Sequence, residues 1–352
     1  MSFSATLLKW YDAHKRSLPW RGISDPYKIW LSEIILQQTQ IAQGKDYYLR
    51  FIERFPTVHD LASASEDEVM KMWEGLGYYS RARNLHYAAR QIVERGDFPT
   101  ELDDVRKLKG VGDYTAAAIC SMAYNYPAAT LDGNAYRVFG RIYSVEYPFD
   151  EQKGKAFYTS LANSLLDTAR PGEFNQAIMD LGATICTPKN PHCDECPFCD
   201  SCGAHTAHQE HHFPIRAKKP EVKERFLHYF FILHDHRIVM HKRGDRDIWK
   251  SLYEPFLIET AQSADLTQLH HPWLTGILKS HCVIRQHGKN IRHVLTHRLL
   301  RANFYSIYLN DLPAILPEDY RFVPTEELQR LALPALIKKH LDWISDYNTT
   351  ET

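Results

Sequence analysis

The sequence lacks a long hydrophobic run: nothing in its 352 residues approaches the roughly 20 apolar positions that a membrane helix needs. It does not open on an apolar leader either. Lys9, His14, Lys15 and Arg16 punctuate its first segment, so the expectation is a cytoplasmic protein, nucleoid-associated in a bacterium, with no membrane partner. An excess of charge of one sign is also missing. Lys and Arg (42) nearly balance Asp and Glu (43), and the formal charge of -1 excludes a global basic attraction to nucleic acid, leaving only local patches. There is no internal repeat or low-complexity tract, and residues 1–185 show no sustained strand alternation, which excludes an N-terminal sheet. Cysteine is scarce except in one place. Of seven, Cys120 and Cys282 stand alone, while Cys186, Cys193, Cys196, Cys199 and Cys202 crowd one segment, a distribution that speaks for metal over disulfides.

What is present is organised around Leu108-Lys109-Gly110-Val111-Gly112-Asp113-Tyr114-Thr115-Ala116. Upstream, Thr100 with Asp103 reads as an N-cap and its capping-box partner, Leu102, Val105 and Leu108 fall at helical spacing, and Gly110 supplies a left-handed stop. Downstream, Tyr114 to Tyr124 is an alanine-rich helical run. Gly110 and Gly112 let the hairpin backbone approach a ligand, and the unbonded N–H groups of the second helix's first turn offer donors to an anion such as a DNA phosphate. A plain helix-turn-helix corner is the competing explanation.

Around this hairpin the chain reads as many short helices. Leu7 to Trp20 is amphipathic, and Asp25-Pro26 is an N-cap followed by a proline at the first helical position. The helix it starts is expected to run to about Ala42, with Leu31, Ile34, Ile35 and Ile41 on a core face and Trp30, Glu33, Gln37 and Gln40 on a second stripe. That stripe is either solvated or holds a cleft-facing acid. Gly75 to Asn84 sets two aromatics, Tyr78 and Tyr79, after a glycine-bracketed bend and before Arg81 and Arg83, the makings of a base-stack wedge with cationic anchors. Buried core tyrosines are the alternative. Asp132 caps a helix, or does more.

Cys186, Cys193, Cys196 and Cys202, at intervals of six, two and five residues, gather thiolates around one small centre. A 4Fe–4S cluster suits such a compact run; zinc is the competing metal, though its structural sites usually pair two separated knuckles. Cys199 also completes a regular series with Cys193, Cys196 and Cys202, so spacing leaves the fourth ligand open between Cys186 and Cys199. Residues 203–224, polar and rich in His, Lys and Pro, read as a linker. Beyond it, Arg225–Leu233, Ile238–His241, Pro255–Glu259, Val283–Arg285, Ile291–Leu295 and Asn303–Leu309 are strand-like. Gly288-Lys289-Asn290 is expected to turn between the fourth and fifth of these, and helices near Thr325 and Pro334 complete an α+β domain.

Trp30-Leu31-Ser32-Glu33 with Leu36-Gln37-Gln38-Thr39-Gln40, the Gly75–Asn84 segment, the hairpin, Leu131-Asp132-Gly133-Asn134 and the cysteine loop follow one another in an order that resembles the MutY-type adenine DNA glycosylases. These belong to the helix-hairpin-helix superfamily that includes endonuclease III. The resemblance implies an all-α helix-hairpin-helix glycosylase domain over 1–202 with an iron–sulfur loop at 186–202, a linker at 203–224, and a Nudix-like 8-oxoguanine-recognition domain over 225–352. The implied activity is base-excision repair: adenine opposite 8-oxoguanine or guanine in double-stranded DNA is flipped out and hydrolysed, by a protein acting as a monomer.

The resemblance also implies roles. Glu33 matches the acid that protonates the departing adenine, Asp132 the carboxylate that stabilises the oxocarbenium-like sugar, and Asn134 a residue beside it. Tyr114 stands where bifunctional relatives carry a Schiff-base lysine, so strand cleavage is not expected. Gln37 and Gln38 match the adenine side of the site, Tyr78 the intercalating aromatic with Arg81 beside it, and Gly110 and Gly112 the phosphate donors. The family's ligand pattern favours Cys186, Cys193, Cys196 and Cys202 for the 4Fe–4S cluster. Leu295-Thr296-His297 aligns with a recognition loop that commonly reads Phe-Ser-His, keeping hydroxyl and imidazole but losing the aromatic. No Nudix box is present, so pyrophosphate hydrolysis is not expected. The rival expectations are an endonuclease III-like pyrimidine glycosylase or lyase and a non-catalytic DNA-binding iron–sulfur protein.

Overall fold

The computed structural model describes residues 2–217, 222–244, 247–280, 282–295 and 297–341. The chain forms two units, Met1–Ala64 with Asn84–Lys218, and Ser65–Arg83 with Lys219–Thr352.

The first unit is helical throughout its described residues. Asp25 caps the helix Pro26–Leu36 by accepting from the N–H groups of Tyr27 and Lys28, with proline at the first position as the sequence implied. Tyr27, Ile29, Trp30, Leu31, Ile34 and Ile35 are all buried, so this helix is core on nearly every side. It ends at Leu36 and not near Ala42. Gln38 is left-handed (φ 56°), and a new helix, Ile41–Arg54, starts after it. Gln37 and Gln40 therefore do not continue the Trp30–Glu33 stripe. The helix Asp113–Tyr124 packs against Pro26–Leu36, and its small residues Ala116, Ala117 and Ala118 permit the approach. Below them, Leu7, Leu8 and Tyr11 of the helix Phe3–His14 share a core with Val138 and Phe139 of Gly133–Ile142 and with Phe174, Ile178 and Leu181 of Pro171–Thr184.

The first hairpin helix is shorter than the sequence implied. It spans Leu102–Arg106, and Glu101, not Thr100, occupies the N-cap position without a side-chain bond, so the expected capping box does not form. Gly110 does adopt the left-handed conformation (φ +79°), and a Cβ built there would lie 2.7 Å from the Cβ of Asn84. Gly110→Ala is therefore expected to destabilise the protein by about 2 kcal/mol, left-handed strain and overpacking both contributing; urea unfolding measures it. Gly112 is extended and open to solvent, so the same change there should cost much less.

Part of the expected linker is not a linker. Gly203–Thr206 is a helical turn, and Ala204 and Phe213 are buried in the first unit's core. The polar composition hid this, because the apolar residues that pack, Ala204, Phe213 and Ile215, are scattered among polar ones.

In the second unit a six-stranded mixed sheet runs β4-β5-β1-β3-β2-β6, from strands β1 (Lys223–His234), β2 (Arg237–Lys242), β3 (Tyr253–Thr260), β4 (Cys282–Val294), β5 (Arg298–Leu309) and β6 (Tyr320–Pro324). β1 and β5 are parallel, and the other pairings are antiparallel. The expected turn at Gly288-Lys289-Asn290 is instead an irregularity within one long edge strand, with register shifts on both sides of Gly288. A bulge and a turn share the same residue chemistry, which is why the sequence confuses them. Residues 65–83 join this unit although the sequence placed them in the first domain. Half-buried Glu74 accepts from Lys71 (2.9 Å), Lys338 (2.5 Å) and the Leu333 N–H (3.2 Å).

Candidate active site and cysteine centre

Glu33 is held on the buried side of Pro26–Leu36 and is only 8% exposed. Burial pushes its carboxyl above the ordinary range; against that act a hydrogen bond from the Tyr114 hydroxyl, 2.8 Å to Oε2, and the charge of Arg21, while Asp132 pushes it further up. Tyr114 opens the second hairpin helix. Burial first, and then the neighbouring Glu33 and Asp132, raise its phenol well above the usual value, so it remains a donor. Asp132 is the N-cap of Gly133–Ile142: Oδ1 accepts from the Ala135 N–H and Oδ2 from Asn134 Nδ2, each at 2.7 Å. Burial raises its carboxyl too, opposed by those two bonds and by Arg137. Sequence motifs alone could not put Glu33 and Asp132 in one pocket. The fold brings them near one another: Asp132 acts on the charge of Glu33, and both act on Tyr114.

The other expected residues divide. Gln37 sits at the C-cap of its helix and donates from Nε2 to Thr115 Oγ1 (3.2 Å), next to Tyr114; Gln38 is exposed on the left-handed turn. Tyr78 is 47% exposed and left-handed (φ 47°), between Gly77 (φ 73°) and Tyr79. Arg81 packs its guanidinium over the rings of Trp73 (5.1 Å) and Tyr78 (5.4 Å), bracing the aromatic more than reaching outward. In the second unit a cavity of about 560 Å³ is lined by Gly77, Tyr78, Trp249, His293, Leu295 and His297, a size that suits a small ligand or base. Leu295 and Arg298 close the turn from β4 to β5 by a backbone bond (2.8 Å), and His297 is exposed; Thr296 lies outside the described residues.

Asp180, Arg21, Arg137 and Arg141 carried no role in the sequence reading. Asp180, fully buried, accepts from Arg16 (2.6 Å) and Arg21 (2.9 Å), and Arg21 in turn acts on Glu33 and Tyr114. The available signal was an acid between Ala177, Ile178 and Leu181, where the helix is otherwise apolar. Arg137 donates to the Cys186 carbonyl (2.7 Å) and to Asn134 Oδ1 (2.8 Å), so hydrogen bonds run unbroken from the cysteine loop to Asp132. Arg141, only 2% exposed, donates from Nη1 to Cys186 Sγ at 3.3 Å.

All five cysteines of the loop line one hollow, together with Arg141, His205 and Glu210. Burial pushes the Cys196 thiol up to about 12, with Cys186, Cys202 and Cys193 adding to it, so these four are electrostatic neighbours. Such thiolates persist only where a cation compensates them, and this donor set fits a metal cluster. Cys193, His205 and Glu210 also converge within 4.8 Å, but that grouping shares Cys193 with the four thiols.

Comparison with known proteins places this geometry. Residues 31–161 match the HhH-GPD superfamily base excision DNA repair protein model, and residues 228–343 match a NUDIX domain model. A mouse adenine DNA glycosylase is 42% identical over 234 residues, covering 63% of this chain and 45% of the mouse protein. The adenine DNA glycosylase of Buchnera aphidicola subsp. Baizongia pistaciae is 31% identical over 355 residues, covering 99% of this chain and 98% of that one. The chain thus spans a little under half the length of its mouse relative and nearly all of the Buchnera one. Among solved structures, a thermostable thymine-DNA glycosylase aligns with a TM-score of 0.54 at 29% identity, over 58% of this chain and 95% of the other.

Proposed function

The chain belongs to the adenine DNA glycosylase family, and from that premise we propose that it hydrolyses the N-glycosidic bond of adenine opposite 8-oxoguanine, or guanine, in duplex DNA without cutting the strand. The observation that carries this reading is the hydrogen bond from Tyr114 to Glu33, with Asp132 near enough to act on the charge of Glu33. Glu33, desolvated and biased toward its protonated form, is the acid that delivers a proton to the leaving base. Asp132 has the features that favour an anion: two donors, a helix N-terminus and a nearby guanidinium. It is therefore the group that faces the positive charge developing on the sugar. Burial raises both carboxyls, but only Asp132 has two donors and a helix N-terminus to hold an anion; this cleavage asks for one protonated and one ionised carboxyl. Arg21 Nε, buried and without an acceptor among the described residues, is a donor left for a bound base.

Tyr114 cannot form a Schiff base, which supports a monofunctional enzyme over the lyase alternative. In the second unit, Tyr78 with Leu295 and His297 lines the cavity that would receive the opposite base. Cys186, Cys193, Cys196 and Cys202 would hold a 4Fe–4S cluster, which would serve as a structural and redox centre and not as a reactant. In a single-turnover assay on a duplex with adenine opposite 8-oxoguanine, strand breaks are expected only after alkali. Breaks without alkali would remove the monofunctional reading; adenine left in place would remove the activity.

A pH prediction follows from the site. The phenol bond favours Glu33's ionised form, so Tyr114→Phe should let its pKa rise further. Because the protonated acid is the active form, the fall in rate at high pH should move to higher pH in this variant. A limb that stays in place or moves down contradicts the assignment.

A further inference from the structure

Arg141 is a buried cation whose acceptors are carbonyls and one sulfur. Nε donates to the Glu210 carbonyl (2.7 Å), Nη1 to the Thr187 carbonyl (2.8 Å) and to Cys186 Sγ (3.3 Å), and Nη2 to the Pro188 carbonyl (3.1 Å). No carboxylate pairs with it among the described residues. A guanidinium taken so completely out of water needs an anion nearby, and the neighbouring concentration of negative charge is the thiol set: Arg141 also acts on Cys193. With Nε fixed on Glu210 and both Nη groups on the Cys186–Pro188 stretch, the planar group cannot swing away.

Building on the 4Fe–4S reading above, we propose that Arg141 sets the redox poise of the cluster. With four thiolates, the cluster is a dianion when reduced and a monoanion when oxidised by one electron. A fixed cation on one ligand sulfur stabilises the dianion more, so it raises the potential and protects the cluster against oxidative loss. A charge-assisted N–H···S bond works in the same direction by drawing density from the Cys186 thiolate. Arg137 lies on the same helix, yet it spends its donors on the Cys186 and Gly182 carbonyls and on Asn134, not on sulfur. Arg141 is thus a positioning residue acting through Cys186, and the preference for Cys186 over Cys199 that the resemblance implies gains a physical reason: among the described residues, Cys186 is the one cysteine whose sulfur accepts from it.

The test uses the full-length holoprotein. Iron and acid-labile sulfide are first measured in wild type; their absence would overturn the cluster reading and this proposal with it. Protein-film voltammetry then compares wild type, Arg141→Gln and Arg141→Lys, each passing one electron per cluster to the electrode. Arg141→Gln should shift the midpoint to lower potential and speed loss of the cluster's visible absorbance in the presence of a one-electron oxidant. Arg141→Lys, which keeps the charge, should lie between Gln and wild type. A loaded Gln variant at the wild-type potential overturns the role of Arg141 while leaving the cluster reading intact. Should Gln not retain iron, electron–nuclear resonance of the oxidised wild type labelled with ¹⁵N-arginine decides. A guanidinium nitrogen coupling that vanishes in Arg141→Lys supports the proposal, and its absence in wild type overturns it.

Discussion

Glu33→Gln is expected to lower the single-turnover rate of adenine release by about 10³-fold while leaving DNA affinity within a few-fold of wild type. Gln is nearly isosteric, and its carbonyl can still accept from the Tyr114 hydroxyl that now reaches Oε2 at 2.8 Å, so the local packing survives. What disappears is the ability to give a proton. Stability should not fall, and can rise, because a buried ionisable group is replaced by a neutral amide; the raised pKa already records that the pocket disfavours the carboxylate. The measurement is alkali-revealed cleavage under enzyme excess, beside thermal unfolding of both proteins. A variant that unfolds early would assign Glu33 to structure, and one that keeps its rate would assign the proton to another group. A non-catalytic DNA-binding protein would show no turnover in either form.

How much of this was legible in the sequence depended on whether the signal was local. Asp25-Pro26 as a helix start and Gly110 as a left-handed stop are backbone chemistry, and both appear where they were expected. Periodicity overshot at Gln37–Gln40, because apolar Ile41 falls at helical spacing from Ile34 even though a left-handed Gln38 separates two helices. The capping box at Thr100 failed because a five-residue helix held by tertiary packing does not need one. The candidate site residues were legible as motif members, and their motifs carried no distances. That Glu33 and Asp132 come near one another is a long-range consequence of Asp113–Tyr124 packing on Pro26–Leu36 and of Pro171–Thr184 packing on both Asp113–Tyr124 and Gly133–Ile142. Asp180, Arg137 and Arg141 were harder still. Each is a charge whose meaning lies in partners far along the chain, as with Arg16 and Arg21 on Asp180, and composition cannot separate such residues from solvated ones.

Asp132→Asn is expected to reduce adenine release by about 10²- to 10³-fold with little loss of stability, and the comparison with Asp132→Ala separates its two duties. As an N-cap, Asp132 binds the Ala135 N–H at 2.7 Å, and Asn caps a helix about as well. Ala cannot cap and should cost about 1 kcal/mol in addition. The stabilising anion, however, is absent from both variants. In Asn there is a further consequence: Asn134 Nδ2, which donates to Oδ2 at 2.7 Å, would face an amide nitrogen unless one of the two side chains flips. A flip would disturb Arg137, since its Nη2 donates to Asn134 Oδ1 at 2.8 Å, and through it the Cys186 carbonyl. If Asp132 only capped its helix, Asn would retain activity and Ala would lose it in proportion to stability. If the charge faces the developing cation, both lose activity alike and differ only in unfolding. Single-turnover rates and urea midpoints on the same preparations separate the cases, because a cap acts on the folded fraction and a charge acts on the barrier.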